Sequence, residues 1–240
     1  MLTSSIMLTS SIRIGTIFLD YLDFESISWD RVWDATLETL YMTGISVIAV
    51  FFLGILLGLL LYETRNSTSV FAVVLYKVVA FLVNVFRSIP FIILIVLLIP
   101  FTKTIVGSMT GPTAGLPALI LSAAPFYGRL VESGLREVDK GVIEAAEAMG
   151  ATKWEVIKKV YIPESLPNIV AGITVTAISL VGYTAMAGVI GAGGLGNLAY
   201  LEGFQRSRPN VTLVATVIIL LIVFLIQFIG DTWVTKIDKR

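Results

Sequence analysis

Five long apolar runs constrain the fold of this 240-residue chain more than any other feature. They occupy residues 37–62, 70–101, 116–131, 166–190 and 211–228. About 20 consecutive apolar residues form a helix long enough to cross the hydrocarbon core of a bilayer. Such a helix also satisfies its own backbone hydrogen bonds, which lipid cannot do. The sequence therefore predicts an all-α, polytopic membrane protein with five transmembrane helices.

Composition supports a membrane protein and excludes several functions. Apolar residues make up 56% of the chain and charged residues 14%, against about a quarter charged in soluble domains. The formal net charge is zero, and nothing indicates a nucleic-acid partner. Cysteine and histidine are absent, which excludes disulfides, thiolate chemistry and histidine-based metal or catalytic sites. A hydrolase could still use carboxylates, but almost none lie within the predicted spans. We expect no cofactor in this chain and no enzymatic activity.

Residues 1–28 precede the apolar runs and begin with MLTSSI written twice. They contain neither the basic region nor the cleavage site of a signal peptide. We predict a flexible extension here, followed by one transmembrane domain over residues 29–240. Trp29 and Trp33 predict an interfacial helix ahead of the first span.

The first span contains Gly54 and Gly58 in a G-x-x-x-G pattern. This pattern allows a second helix to approach closely, although it also arises by chance in apolar helices.

The second run, residues 70–101, is longer than one span requires. It predicts an interfacial helix containing Lys77, a bend near Pro90 and a span ending near Pro100, with a loop or broken helix over residues 102–115. Arg87 lies just before the bend. A charge at this depth is costly and usually faces the bundle interior or water, so Arg87 and Pro90 are candidates for a gate or pathway. The alternative is that Arg87 extends to the nearer membrane surface.

The fourth run combines small residues with a polar stripe. Thr176, Ser179, Tyr183 and Met186 are spaced to share one helical face. Such a stripe could line a path for a solute. It could equally serve helix packing, with each hydroxyl bonded to the preceding turn.

The sequence GAGGLG at residues 191–196 matches the dinucleotide-binding pattern literally. That function requires a βαβ unit and an acidic residue about 20 positions further on, and the sequence provides neither. A flexible re-entrant turn between spans is the better interpretation.

Residues 141–163, GVIEAAEAMGATKWEVIKKVYIP, form the main polar interruption of the apolar sequence. Gly150 can end a first helix in the left-handed conformation. Thr152 and Glu155 match a capping box that begins a second helix, and Pro163 is expected to end it. The first helix has an apolar face formed by Val142, Ala145, Ala146 and Met149. Two short helices with a sharp bend between them are therefore predicted.

The same stretch resembles the cytoplasmic loop of importer permeases of the ATP-binding-cassette (ABC) class. That loop reads E-A-A, three residues, G, nine residues, I-x-L-P. Glu144, Ala145, Ala146 and Gly150 match it, with V-Y-I-P at residues 160–163. The resemblance implies that this loop, with Met149 on its apolar face, docks on an ATPase subunit. An ordinary amphipathic loop between two spans is the alternative.

Three further stretches resemble the permease subunit of the bacterial methionine importer. They are residues 84–102, 123–132 and 180–200. The resemblance implies a type I ABC importer permease fold and a homodimer in the lipid bilayer. It also implies two ABC ATPase subunits that bind ATP-Mg and a methionine-binding protein outside the cytoplasm. Tyr183, Thr184 and Met186 become pathway candidates, together with Ser179. A permease for another amino acid or small solute is the runner-up.

Two functions from other classes fit the sequence less well. A secondary transporter or channel would need its own coupling-ion site, usually marked by Asp or Glu within the spans. An intramembrane enzyme would need catalytic residues. Neither marker is evident within the five predicted spans.

The distribution of basic residues predicts the orientation. If the N-terminus lies outside and the C-terminus in the cytoplasm, the inner segments hold Arg65, Lys77, Arg129, Arg136, Lys140, Lys153, Lys158, Lys159, Lys236, Lys239 and Arg240. The outer segments hold Arg13, Arg31, Lys103, Arg206 and Arg208. The excess of basic residues on the inner side satisfies the positive-inside rule. It predicts a protein of the cytoplasmic membrane with residues 141–163 on the cytoplasmic side.

We expect a thiol reagent that cannot cross the membrane to label Ser108→Cys in intact cells and to leave Lys140→Cys unlabelled. The natural chain has no cysteine, so each substitution reports on one site. Labelling of position 140 without position 108 would show the opposite orientation.

Overall fold

The computed structural model describes residues 21–65 and 67–238, and this part of the chain is all-helical. Its α-helices are α1 Trp29–Arg65, α2 Val70–Ser88, α3 Phe91–Leu97, α4 Ile99–Val106, α5 Pro112–Arg136, α6 Lys140–Ala148, α7 Lys153–Val156, α8 Ile162–Ala187, α9 Gly194–Leu198 and α10 Pro209–Ile237. π-Helical turns, in which hydrogen bonds span five residues, lie at Ile157–Tyr161 and Ala199–Gln205. A third segment, Gly188–Ala192, contains a kink at Ile190 and Gly191, which are not helical.

Five helices are long and apolar enough to cross a membrane, as the sequence predicts. They are Trp29–Arg65, Val70–Ser88, Pro112–Arg136, Lys153–Ala192 and Pro209–Ile237. We call the end of the bundle that carries Arg65 and Lys140 the inner end, following the predicted orientation.

The region around Pro90 bends as predicted but extends further. Ile89 is extended (φ −79°, ψ 123°) and ends α2, because a residue before proline is disfavoured in the α conformation. The helix breaks at Leu98, close to the predicted end near Pro100, and a second short helix follows, as the predicted broken helix requires. Pro100 lies in the first turn of α4, where a missing N–H costs nothing, and the helix continues until Gly107 at φ 79°.

Val70–Ser88 itself meets the length and composition of a span, where the sequence predicts an interfacial helix. Ala80 and Val83 of this helix pack with Leu61, one turn before the inner end of α1. Phe91 and Ile95 of α3 pack instead with Leu119 of α5 in the main core. The second apolar run therefore follows the bundle from its inner end outward in three pieces.

The core of the bundle forms where α1 crosses α5. A Cβ on Gly58 would lie 2.5 Å from Val131 Cγ1 and 2.9 Å from the backbone oxygen of Gly128. The G-x-x-x-G pattern therefore serves a close helix approach. Tyr127, fully buried, fills the space next to Gly54 and donates its hydroxyl to the backbone oxygen of Ile169 in α8 at 3.2 Å. Three helices thus meet at one point.

The predicted extension lies mostly outside the described residues. Its last part, residues 21–28, packs on the outer end of the bundle. Ile27 is buried in a cluster with Leu198 and Val211, and Asn210 donates to the Ser26 hydroxyl at 2.8 Å. The domain boundary at residue 29 stays a prediction.

We expect Gly58→Ala to destabilise the folded protein by about 1–3 kcal/mol, the usual cost of overpacking a tight contact. Gly44→Ala is the matched control, because the added methyl group would meet no atom within 4 Å. Thermal unfolding in detergent measures both. Equal stability of the two variants would contradict the assignment of Gly58 to the helix contact.

Candidate functional site: a helix–glycine–helix module at the inner end

Helix α6 ends in a Schellman motif centred on Gly150. The Gly150 N–H donates to the Glu147 oxygen at 2.9 Å, and the Ala151 N–H donates to the Ala146 oxygen at 3.1 Å. Gly150 has φ 85°, a conformation that residues with a Cβ rarely adopt. At the start of α6, the Asp139 carboxylate accepts from the Gly141 N–H at 2.6 Å. The predicted first helix and bend are confirmed.

Helix α7 begins with the predicted capping box. Thr152 Oγ1 accepts from the Glu155 N–H, and Glu155 Oε2 accepts from the Thr152 N–H at 3.0 Å. Lys159 Nζ donates to Glu155 Oε1 at 3.1 Å. The Thr152 N–H and then Lys159 lower the pKa of Glu155 to about 2. The cap therefore carries a negative charge throughout the physiological pH range.

Pro163 does not end the second helix, which corrects the sequence prediction. The helical segment runs from Lys153 to Ala192 through the π-turn Ile157–Tyr161. In this turn the Ile162 N–H donates to the Ile157 oxygen, five residues back. The wider turn places Pro163 in the first turn of α8, where its missing N–H is tolerated. A segment of this length, about 60 Å at 1.5 Å per residue, is about twice the hydrocarbon thickness, so part of it extends beyond the hydrocarbon core.

The apolar face of α6 divides into an inward and an outward part. Ala146 is buried with Val138, Val156 and Val160 in a small core of the module's own. Val142 and Met149 remain exposed, Met149 by 82%, as does Ala145. Trp154 of α7 is 70% exposed and adds to this outward apolar surface. The carboxylate-bearing Glu144 is exposed as well.

The sequence analysis missed Trp154. Its signal was available, because a tryptophan in a polar, lysine-rich stretch is unusual unless it contacts a partner. The module thus combines a rigid bend with an exposed apolar surface, as a docking element requires.

The polar stripe predicted on α8 separates into buried and open residues. Thr176 is fully buried and donates to the Gly172 oxygen at 2.7 Å, and Thr184 is buried and donates to the Val181 oxygen at 2.7 Å. Those two hydroxyls serve the helix itself. Ser179 is half-buried and donates to the Val175 oxygen, while Met186 is half-exposed.

Tyr183 lies on the open side of α8 and stacks on Phe91 of α3. The ring centroids are 4.7 Å apart and the rings are nearly parallel at 10°. Tyr183 and Met186 therefore occupy a surface on which a solute or a second chain could lie. A pathway role for the candidates Ser179, Tyr183, Thr184 and Met186 stays a prediction.

Arg87 is exposed at the end of α2, with its guanidinium 5.9 Å from the centre of the Phe126 ring. One turn earlier, the Asn84 side chain accepts from Arg129 at 3.3 Å. Pro90 is exposed at the break that follows. A gate role and simple extension toward the membrane surface both remain open for Arg87.

Buried carboxylates are the second feature that the sequence analysis missed. Glu132, just past the predicted end of the third span, has a side chain only 3% exposed and contacts Arg129 at 2.6 Å and Arg65 at 3.5 Å. At the outer end, Glu202 is buried among Arg31, Arg206 and Arg208. Arg129 and Arg206 lie within four residues of their partners, so these two pairs had a local signal. The contacts of Arg65 with Glu132 and of Arg31 with Glu202 join residues that are far apart in sequence, and their signal is tertiary.

The GAGGLG segment forms the predicted turn, held by side chains of α1. Gly191, Gly193 and Gly194 have positive φ values. Glu38 accepts from the Gly194 N–H at 2.6 Å, and Thr39 accepts from the Leu195 N–H at 2.9 Å. These bonds fix the turn to the outer part of α1, so it is anchored rather than flexible.

The described part of the chain contains no group of three His, Cys, Asp or Glu side chains that could hold a metal.

A family described as the binding-protein-dependent transport system inner membrane component matches residues 53–240. The chain belongs to this family.

Similar inner-membrane components cover nearly the whole chain. It is 57% identical over 217 residues to the methionine import system permease protein MetP of Bacillus subtilis, which spans 90% of this chain and 98% of that protein. It is 43% identical over 212 residues to the probable D-methionine transport system permease protein MetI of Pasteurella multocida, covering 88% and 98%.

Solved structures agree with this assignment. An inward facing conformation of the MetNI methionine ABC transporter matches with a TM-score of 0.84 and 44% identity, over 87% of this chain and 97% of that one. An amino acid ABC transporter matches with a TM-score of 0.67 at 19% identity, over 94% and 97%, and supports the fold alone. The expected type I ABC importer permease architecture is confirmed.

Proposed function

We propose that this chain is the membrane-spanning subunit of an ATP-driven importer that carries methionine across the cytoplasmic membrane. The observation that carries the proposal is the 57% identity to a methionine import permease over nearly the full length of both chains. The helix–glycine–helix module supports it, because it presents an apolar surface outside the membrane on a rigid bend.

In this proposal two copies of the chain form the transmembrane unit. Each module docks on one ABC ATPase subunit through Val142, Met149 and Trp154, with Glu144, Ala145 and Ala146 shaping the helix and Gly150 setting its angle to α7. A methionine-binding protein delivers the solute from outside. The ATPase subunit holds ATP-Mg and performs the hydrolysis.

The mechanism is a shift between inward-open and outward-open states. ATP must bind one state more tightly than the other, and a difference of about 5.5 kcal/mol converts a 1:99 population into 99:1. The permease contributes no chemical step. It transmits the motion of its module to the spans, and the spans alternate access to the path.

Buried charges disfavour a secondary transporter or channel. Glu132 and Glu202 are the buried carboxylates of the described residues, and each contacts more than one guanidinium. A carboxylate neutralised in this way is a poor site for a coupling cation. A permease for another amino acid remains the runner-up, because substrate choice rests on the relatives.

We expect Gly150→Val to uncouple transport from ATP hydrolysis. A β-branched residue is strongly disfavoured at φ 85°, so the two helices of the module would meet at another angle. The variant chain should still insert into the membrane. The purified complex that contains it should lose most of its solute uptake. Gly44→Val is the matched control, since Gly44 has no positive φ and an added Cβ would meet no atom within 4 Å. Normal uptake with normal ATPase activity in Gly150→Val would refute the coupling role.

We expect the complex to support growth on low methionine in a strain that depends on external methionine. The cognate ATPase and binding protein must be supplied. Tyr183→Arg should abolish growth by placing a charge on the open side of α8, whereas Tyr183→Phe should retain it because the stack on Phe91 survives. Robust uptake of a different solute without methionine uptake would reject the substrate and leave the importer class standing.

A further inference from the structure

A pair of tyrosine rings joins the inner module to the first span. Tyr161, the last residue of the π-turn, meets Tyr62 of α1 edge-on, with ring centroids 4.9 Å apart and the ring planes at 67°. This is the preferred geometry of an aromatic pair. Tyr62 lies one turn before the inner end of α1, so the contact is made where the span leaves the bundle.

Tyr161 is the side chain shared by two apolar clusters. It packs against the module's own core of Val138, Ala146, Val156 and Val160. It also packs against the main core of the bundle, as Tyr62 does. Protein interiors are close-packed, so a displacement of one side chain is transmitted to the side chains around it. A movement of the module therefore reaches Tyr161 directly.

Beside the rings, a cavity of about 340 Å³ separates α1 from the module. Its lining includes Glu63 and Ser67 on one side and Glu147 and Lys153 on the other. Tyr62 and Tyr161 also line this cavity, so the ring pair bridges it at its edge.

The inner end of α1 is in turn tied to α5 and α2. Arg65, one turn beyond Tyr62, contacts the buried Glu132 carboxylate at 3.5 Å. Glu132 holds Arg129 at 2.6 Å, and Arg129 donates to Asn84 of α2 at 3.3 Å. A displacement of Tyr62 therefore acts on three helices together.

We propose that the Tyr161–Tyr62 contact is the joint through which the module carries the first span with it during the transport cycle. The inference rests on the proposed coupling role of the module. Both tyrosines are positioning residues that touch neither solute nor ATP. Without the contact, the module would still move on its ATPase partner while α1 lagged behind.

The first test measures solute transported per ATP hydrolysed by the reconstituted complex. Tyr161→Leu and Tyr62→Leu should each lower this ratio by about fivefold or more, within the usual range of coupling between sites. Tyr161→Phe keeps the ring and should keep the ratio. The double Leu variant should be no worse than either single one, because both remove the same contact. Tyr41→Leu, in the outer part of α1 and 44% exposed, is the control and should have no effect.

The second test does not depend on the solute and is made first with both tyrosines in place. Spin labels on Glu63→Cys and Lys158→Cys report the distance between α1 and the module in the complex with its ATPase, without nucleotide and with bound ATP. A reference pair on Ser108→Cys and Lys158→Cys reports movement of the module relative to the outer end. The first distance should stay constant while the reference distance changes, and adding Tyr161→Leu should make the first distance respond to ATP.

Three other outcomes overturn the inference itself. A Glu63–Lys158 distance that changes with ATP in the unaltered pair means that α1 and the module move separately. Additive losses in the double Leu variant mean that the tyrosines do not act together. A loss in Tyr161→Phe equal to that in Tyr161→Leu assigns the effect to the hydroxyl. If the reference distance is also unresponsive, the proposed coupling itself fails, whereas failure of methionine uptake with both distances behaving as expected rejects only the substrate.

Discussion

The close approach of α1 to α5 is the contact on which the rest of this structure depends. Apolar side chains gain little by leaving lipid for one another, so helices in a membrane associate through tight packing and hydrogen bonds. Gly58 and Gly128 bring the two backbones together, and the buried Tyr127 reaches across to Ile169 of α8. Because α5 enters the inner module and α8 leaves it, this one crossing fixes both attachment points of the module.

Features set by a few neighbouring residues could be predicted from the sequence. The bend at Gly150 and the cap at Thr152 and Glu155 depend on contacts within five positions, and the structure confirms them. The number of spans also follows from local composition, because the length of an apolar run is set by the bilayer. The break before Pro90 belongs to the same class, since proline restricts its immediate neighbour.

Features set by distant residues could not be predicted. Pro163 is a usual signal for the end of a helix. In the structure a π-turn precedes it and the helix continues, and nothing in the local sequence distinguishes an ended helix from a continued one. The spacing of Thr176 and Met186 predicts one shared face, but the position of the neighbouring helices decides which of them is open. Glu132 has Arg129 as a neighbour on its own helix, but it gains Arg65 as a second guanidinium partner only when α1 lies beside α5. Partner choice across helices is a property of packing rather than of pattern.

Helix α7 continues through the π-turn into α8, so in the proposed mechanism the two helices would rotate together as a lever. Helix α8 contains 26 residues and is about 39 Å long at 1.5 Å per residue. A rotation of about 10° at its inner end would sweep its far end through about 7 Å, with that length as the radius. In the proposed mechanism, a modest tilt at the inner end of α8 is thereby enlarged at the opposite membrane surface to roughly the width of an amino acid. The glycine turn that follows α8, anchored to Glu38 and Thr39, lies where that amplified displacement arrives.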